Sequence, residues 1–366
     1  MSRGQSTSRY RADNFNKYKG GDSGKFFGEK ESELRLQTSL EDDAIDQKYG
    51  FNRHKEHNER VGWLLNMHQT EILDEDKRLL SAVDFYFIEE DGTRFKVSMP
   101  YRPYFYVITK PEVRQDVTTF LSKKFSGQLA SVEIVRKEDL DLDNHLVGLK
   151  QTLIKLSFLT TNDLMKVRQP LLSGVRRNRE AAKSRSVYAD LLAGVNVDSA
   201  DTSKRSQDYF ESIIDIREYD VPYHVRVSID LRVTVGRWYS VRGGGSSGVP
   251  VITHRKDILV WPDCIVFAYD IETTKLPLKF PDSSTDQIMM ISYMIDAQGY
   301  LITNREIVSQ DVEDFEYTPR PEFEGPFIVF NEPNEMALIQ RFFDHIMEVR
   351  PHIFVTYNGD FFDWPF

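Results

Sequence analysis

Hydrophobic and polar positions alternate along the chain in a way that separates structured from unstructured stretches. Residues 1–45 mix Ser, Gly, Lys, Arg, Asp and Glu with few aliphatics. Such a segment buries too little apolar surface to offset the entropy of ordering, which predicts a disordered tail. From Tyr49-Gly50-Phe51 onward the pattern is that of packed elements. Residues 62–67 are apolar, 81–88 read as a strand, Asp91-Gly92 as a turn, and 94–99 return with polar–apolar alternation, a hairpin. A further strand over 101–108 follows a proline-marked bend, its aromatics alternating as in a core rather than as a stacking platform for nucleic acid. Val113, Val117, Phe120, Leu121 and Phe125 fall at helical spacing, 132–135 and 151–158 are strand-like, and Asn162 opens a helix through Arg168. Hairpin, helix, two strands and a helix make an α+β unit.

Between about 174 and 208 the composition shifts to basic clusters (Arg176, Arg177, Arg179, Lys183, Arg185) and then to Ser, Asp and Thr. We read a mobile surface insertion there; a patch that touches phosphate is the other reading. Residues 217–230 predict a loop and then an alternating strand. The Gly/Ser run at 243–248 is a flexible turn, with no Lys or Ser/Thr in phosphate-loop register. Beyond it lie a strand at 265–274 and an apolar run at 288–295 that predicts a strand buried on both faces. A turn at 296–299 leads into 300–308, and an acidic, proline-broken run at 311–324 reads as a solvated loop. Met336, Ile339, Phe342, Phe343, Ile346 and Met347 then mark an amphipathic helix, capped by Asn331 or Asn334 and stopped by Pro351. A strand at 353–356 closes the series.

Composition narrows the class. The 366 residues have room for two domains, and 40% hydrophobic with 28% charged residues is ordinary globular usage. No apolar run approaches the ~20 residues of a membrane span, and residues 1–10 lack the apolar core of a signal peptide. A lone cysteine, Cys264, excludes an internal disulfide and any multi-cysteine zinc or iron–sulfur site within these residues. A net charge of −10 argues against coating nucleic acid by bulk attraction, so any contact with it must be local. The closing aromatic run at 361–366 calls for burial, which leads us to expect a piece of a longer chain.

The chemistry concentrates at the end of the 265–274 strand. Asp270 and Glu272, two positions apart, share a face. Side-by-side carboxylates at the end of an apolar strand are costly unless cations neutralise them, and hard oxygen ligands suit Mg²⁺ or Mn²⁺. Further on, Asn358-Gly359 favours a tight turn, so Asp360 just after it serves local backbone amides or faces water. Asp363 follows Phe361 and Phe362, whose rings are expected to anchor it in the core.

Asp270-Ile-Glu-Thr-Thr274, followed about ninety residues on by Tyr357-Asn-Gly-Asp-Phe-Phe-Asp363, resembles the first two motifs of the 3′→5′ proofreading exonuclease of B-family DNA polymerases. Residues 275–282, 285–294 and 361–366, with 73–78 and 139–150, are similar to the epsilon class of that family. The resemblance implies an α+β amino-terminal domain over 46–262, carrying the insertion at 174–208. It is followed over 263–366 by an incomplete α/β ribonuclease H-like 3′→5′ exonuclease domain with a mixed sheet. It also implies two Mg²⁺ (or Mn²⁺) ions on Asp270, Glu272 and Asp363, with Asn358 orienting the turn or touching a strand end. Lys275 and Lys279 would meet phosphate and Phe280 a base, although a merely rigid connection is the other reading of that loop. The implied partners are primer–template DNA, single-stranded 3′ ends and the other subunits of a nuclear replicative holoenzyme, with no membrane. A third motif, a Tyr three residues before another Asp, falls beyond Phe366 in the family pattern, as do the polymerase aspartates. The 366 residues alone are therefore expected to be inactive, while the longer enzyme adds nucleotides and removes mispaired ends. A stand-alone exonuclease and a non-catalytic scaffold remain as other readings.

Overall fold

The computed structural model describes residues 26–54, 58–74, 76–138, 148–192, 209–243, 249–308 and 327–366. The first 25 residues, most of the 139–150 stretch, residues 193–208, the turn at 244–248 and the acidic run at 311–324 lie outside them. Helix α1 (Phe26–Lys48) precedes strands β1 (Asn52–Arg53), β2 (Arg60–Leu73), β3 (Leu79–Ile88) and β4 (Arg94–Pro100). Then come β5 (Tyr104–Thr109), α2 (Arg114–Lys124), β6 (Leu129–Glu138), β7 (Lys150–Phe158), α3 (Thr161–Leu192) and β8 (Ile213–Arg217). Helix α4 (Tyr223–Leu231), β9 (Trp238–Arg242) and β10 (Val251–His254) follow. The last part holds β11 (Val266–Thr273), β12 (Ile288–Ile295), β13 (Gln298–Asn304), β14 (Ile328–Glu332), α5 (Glu335–Val349) and β15 (Ile353–Val355).

The described residues form three sheets, ordered β1-β4-β3-β2-β9-β10, β6-β7-β5-β8 and β14-β13-β12-β11-β15. The second is the βαββαβ arrangement of the split-βαβ motif. Phe105 and Val107 of β5 and Ile154, Leu156 and Phe158 of β7 face Val117 and Leu121 of α2 and Val167, Leu171 and Val175 of α3. On the opposite face Tyr104 and Tyr106 are buried, with the Tyr104 hydroxyl donating to Asp230 of α4 at 2.6 Å. Those rings are core, as their alternation implies.

Several local expectations give way to tertiary contacts. The tail expected over 1–45 instead contributes α1 from Phe26 onward. Its composition is polar, but Asp43 and Asp46 reach Lys96 of β4, and Ser39 donates to the Glu71 carbonyl at 3.1 Å. Ion pairs, invisible to hydrophobic patterning, dock it. Helix α3 begins one residue before Asn162, at Thr161, behind a cap from Thr160: Thr160 Oγ1 accepts from the Asp163 amide at 3.1 Å and donates to the Asp163 carboxylate at 2.8 Å, a reciprocal cap. It also runs through Pro170 to Leu192, taking up the first half of the insertion expected at 174–208. Val175 is buried there, and Asn178 Nδ2 donates to the carbonyls of Phe210 and Ile213 at 2.7 and 2.9 Å. The alternating stretch expected as a strand before Asp230 is helix α4. Pro222 stands at its start, and Tyr223, Arg226 and Val227, at i, i+3 and i+4, are the buried positions, while Val225 and Ile229 are exposed.

The third sheet carries the candidate site. Strands β11, β12 and β13 form an antiparallel meander, and β15 lies parallel beside β11. The hairpin between β12 and β13 turns on Asp296 and Ala297, whose φ values of 46° and 68° are both left-handed, as a two-residue primed turn requires. Strand β14, parallel to β13 at the edge, was not expected. Nor is β12 buried on both faces: Ile288, Ile291, Tyr293 and Ile295 are buried, but Ser292 and Met294 are exposed. The covered face meets α5, where Leu338, Phe342 and Ile346 pack on Phe267, Tyr269 and Ile302. Asn334 Oδ1 accepts from the Ala337 amide at 3.0 Å and caps α5; Arg350 in the left-handed region and Pro351 end it.

Candidate functional site

Strand β11 alternates strictly. Phe267, Tyr269 and Ile271 point into the core, so Asp270 and Glu272 stand on the open face. The second cluster comes from the segment after β15. Asn358 takes a left-handed φ of 65°, and its carbonyl accepts from the amides of Phe361 and Phe362 at 3.1 and 3.0 Å. Gly359 must be glycine: a Cβ there would lie 2.0 Å from Thr356 Cγ2. The chain thus turns sharply and winds so that Trp364 packs on Tyr269, with ring centres 4.9 Å apart, and on Phe354 at 5.5 Å. Anchoring therefore falls to Phe362, Trp364 and Phe366, and the expected part of Phe361 is wrong, since it is 77% exposed.

This winding separates the two acids of the segment. Asp360 is exposed, whereas Asp363 is buried at 8% exposure. Thr356 Oγ1 donates to Asp363 Oδ2 at 2.9 Å, and Asp363 Oδ1 is buried without a hydrogen-bond partner. The Asp270 carboxyl is held above its ordinary range, first by burial and then by the charge of the neighbouring Asp363. Burial, with Asp363 nearby, likewise raises the Tyr269 phenol beneath them. Two carboxylates this close, one with an orphaned oxygen, form a donor set short of a cation. Glu272 shares the face but does not close with Asp270 and Asp363 to within 4.8 Å. Among the described residues only Asp43, Asp46 and Asp84 do so as a triple.

That triple is not a rival site, because the Lys96 ammonium sits inside it, paired with Asp46 at 2.5 Å, Asp84 at 3.2 Å and Asp43. Burial alone would lower the Lys96 pKa, but Asp84, Asp43 and Asp46 outweigh it and hold the pKa up.

The loop after β11 closes on Thr274, whose amide donates to the Gln287 carbonyl at 2.8 Å. Lys275, Lys279 and Phe280 all project into solvent from it. Phe280 is 75% exposed but meets Phe362 edge-on at 5.3 Å, which brings the loop beside the Asp363 segment. Asn358 is exposed at the turn. Sequence reasoning missed Thr356 and read Gly359 only as a turn residue. Their spacing, Thr-Tyr-Asn-Gly ahead of the acid, was visible, but their mutual contact was not.

A mixed sheet with acids on β11 and on the exit of its parallel neighbour β15 is the arrangement of a polymerase-associated exonuclease. Residues 214–366 match the family model for the exonuclease domain of DNA polymerase family B. The chain is 50% identical over 346 residues to the DNA polymerase epsilon catalytic subunit from Eremothecium gossypii, covering 91% of this chain and 15% of that one. It is 49% identical over 326 residues to the Arabidopsis thaliana protein of the same name (89% and 15%) and 49% over 325 residues to that of Schizosaccharomyces pombe (88% and 14%). The family B DNA polymerase from the hyperthermophilic archaeon Pyrobaculum calidifontis shares the fold. Its TM-score is 0.51 at 19% identity, covering 84% of this chain and 31% of that one. The chain thus spans about 15% of the length of the curated relatives it matches.

Proposed function

We propose that these residues carry part of the proofreading 3′→5′ exonuclease of an epsilon-type replicative polymerase. That enzyme would add nucleotides to a DNA primer and remove mispaired ends. The observation that carries the reading is the Asp270–Asp363 pair with its orphaned oxygen, on the strand where the family's motif expects an acid. Asp270, Glu272 and Asp363 would hold divalent cations, Mg²⁺ or Mn²⁺, which when bound supply water activation and charge stabilisation at the leaving 3′ oxygen. Lys275 and Lys279 would meet the phosphates of a single-stranded 3′ end, Phe280 would stack on a base, and Asn358 would touch the strand terminus. The partners are then primer–template DNA and the other subunits of a polymerase epsilon holoenzyme, in the nucleus.

The test uses a polymerase of full family length carrying this sequence, with Asp270→Ala and Glu272→Ala together. Degradation of a mispaired primer should fall by about 4 kcal/mol of barrier, roughly a thousandfold, while nucleotide addition continues. Near-wild-type degradation would refute the reading.

A further inference from the structure

Resting on the exonuclease reading above, we propose that Thr356 is a positioning residue. It holds Asp363 Oδ2 so that Oδ1 is the oxygen left for a divalent cation. Thr356 Oγ1 donates to Oδ2 at 2.9 Å, and Oδ1 is buried with no partner of its own. One carboxylate is thereby divided into an occupied and an unoccupied acceptor, and its plane is set. A carboxylate free to rotate would present either oxygen and spread its geometry, whereas a ligand held by an outer hydrogen bond is preorganised.

Thr356 is itself fixed. A Cβ at Gly359 would fall 2.0 Å from Thr356 Cγ2 and 2.9 Å from Oγ1, so methyl and hydroxyl lie directly against that glycine. The tight Asn358-Gly359 turn therefore sets the Thr356 side chain as well as folding the segment back. Tyr269, tilted against Trp364 with ring centres 4.9 Å apart, closes the inner side beneath the pair. Turn, threonine and acid form one chain of contacts from backbone to ligand atom.

A hydrogen bond serving folding alone predicts something different from one that sets a ligand, and binding of Mn²⁺ separates the two. In a polymerase of full family length carrying this sequence, bound Mn²⁺ is titrated by electron paramagnetic resonance, and the signal lost in Asp270→Ala isolates this site. Thr356→Val keeps the shape and removes the hydroxyl; Thr356→Ser keeps the hydroxyl. Thr356→Val should weaken Mn²⁺ at this site by about 10–100-fold, the range for loss of an outer-sphere partner. The Mg²⁺ needed for half-maximal nuclease should rise in parallel, with little change in melting temperature. Thr356→Ser should restore both. Wild-type Mn²⁺ affinity in Thr356→Val, even with reduced nuclease, would overturn the proposal, as would Thr356→Ser behaving like Thr356→Val. Absence of any Asp270-dependent Mn²⁺ in the unsubstituted enzyme would instead overturn the exonuclease reading, and this proposal with it.

Discussion

Two acidic clusters in this molecule look alike in composition and are opposite in design. Asp43, Asp46 and Asp84 converge on Lys96, which is 1% exposed, and most of their remaining acceptor capacity is filled by the chain. Arg53 Nη2 donates to both oxygens of Asp43 at 2.9 and 2.8 Å, Tyr86 donates to Asp46 at 3.0 Å, and Ser98 donates to Asp84. Asp270, Glu272 and Asp363 have no such lysine. Among the described residues no ion pair joins any of them to Lys or Arg; Lys275 and Lys279 are near in sequence but point into solvent. The more compact triad is the closed one. Carboxylate proximity therefore does not by itself mark a cation site; what marks it is whether the protein supplies its own cation.

The comparison breaks most directly at Lys96. Lys96→Met removes the internal cation and leaves buried carboxylates uncompensated, which should cost about 3–5 kcal/mol of stability in chemical denaturation. A loss below about 1 kcal/mol would mean that the first cluster tolerates its charge unaided. At the open cluster, in a polymerase of full family length, Asp363→Asn should lower exonuclease activity by more than the roughly 10–100-fold expected for loss of an outer partner, while Asp360→Asn should retain most of it. Primer degradation assays giving the reverse order would move the ligand to Asp360.

The smallest effect sharpens the contrast through pH. The Asp270 carboxyl is raised by burial and by Asp363, so the metal-free fold favours its neutral form. That advantage is full below the ordinary carboxylate pKa of 3.8 and is lost as pH rises through the elevated one. In chelator at pH 7, Asp270→Asn should therefore melt slightly above the unsubstituted chain, and saturating Mn²⁺ should reverse the order. If Mn²⁺ stabilises both equally, Asp270 is not part of the cation site.

Legibility followed the range of the interactions involved. Strands β11 and β12, helix α5 and the Asp270/Glu272 face were readable because period and capping are local, and α5 is capped by Asn334, one of the two caps expected. Asp363 was separable from Asp360 because a turn signal stands next to one and aromatics next to the other. The alternation of residues 223–230 misled, because a proline at the start and a buried Tyr223–Arg226–Val227 stripe outweigh a two-residue period. Helix α1 was unreadable for a different reason: what docks it is the buried Lys96 some fifty positions later (|i−j| of 53 from Asp43), and no window of hydrophobicity contains both.

By itself, then, the sequence determined the acids, their shared strand face, the turn residues and the family whose motifs they resemble, since each depends on neighbours a few positions apart or on motif identity. Tertiary structure alone decided that one acidic cluster is sealed by a lysine and the other is left open. It also placed Thr356 against Gly359 so that one oxygen of Asp363 is occupied and the other is not. Those outcomes depend on side chains from different strands meeting in space, where the cost of burying charge is settled by which partner arrives.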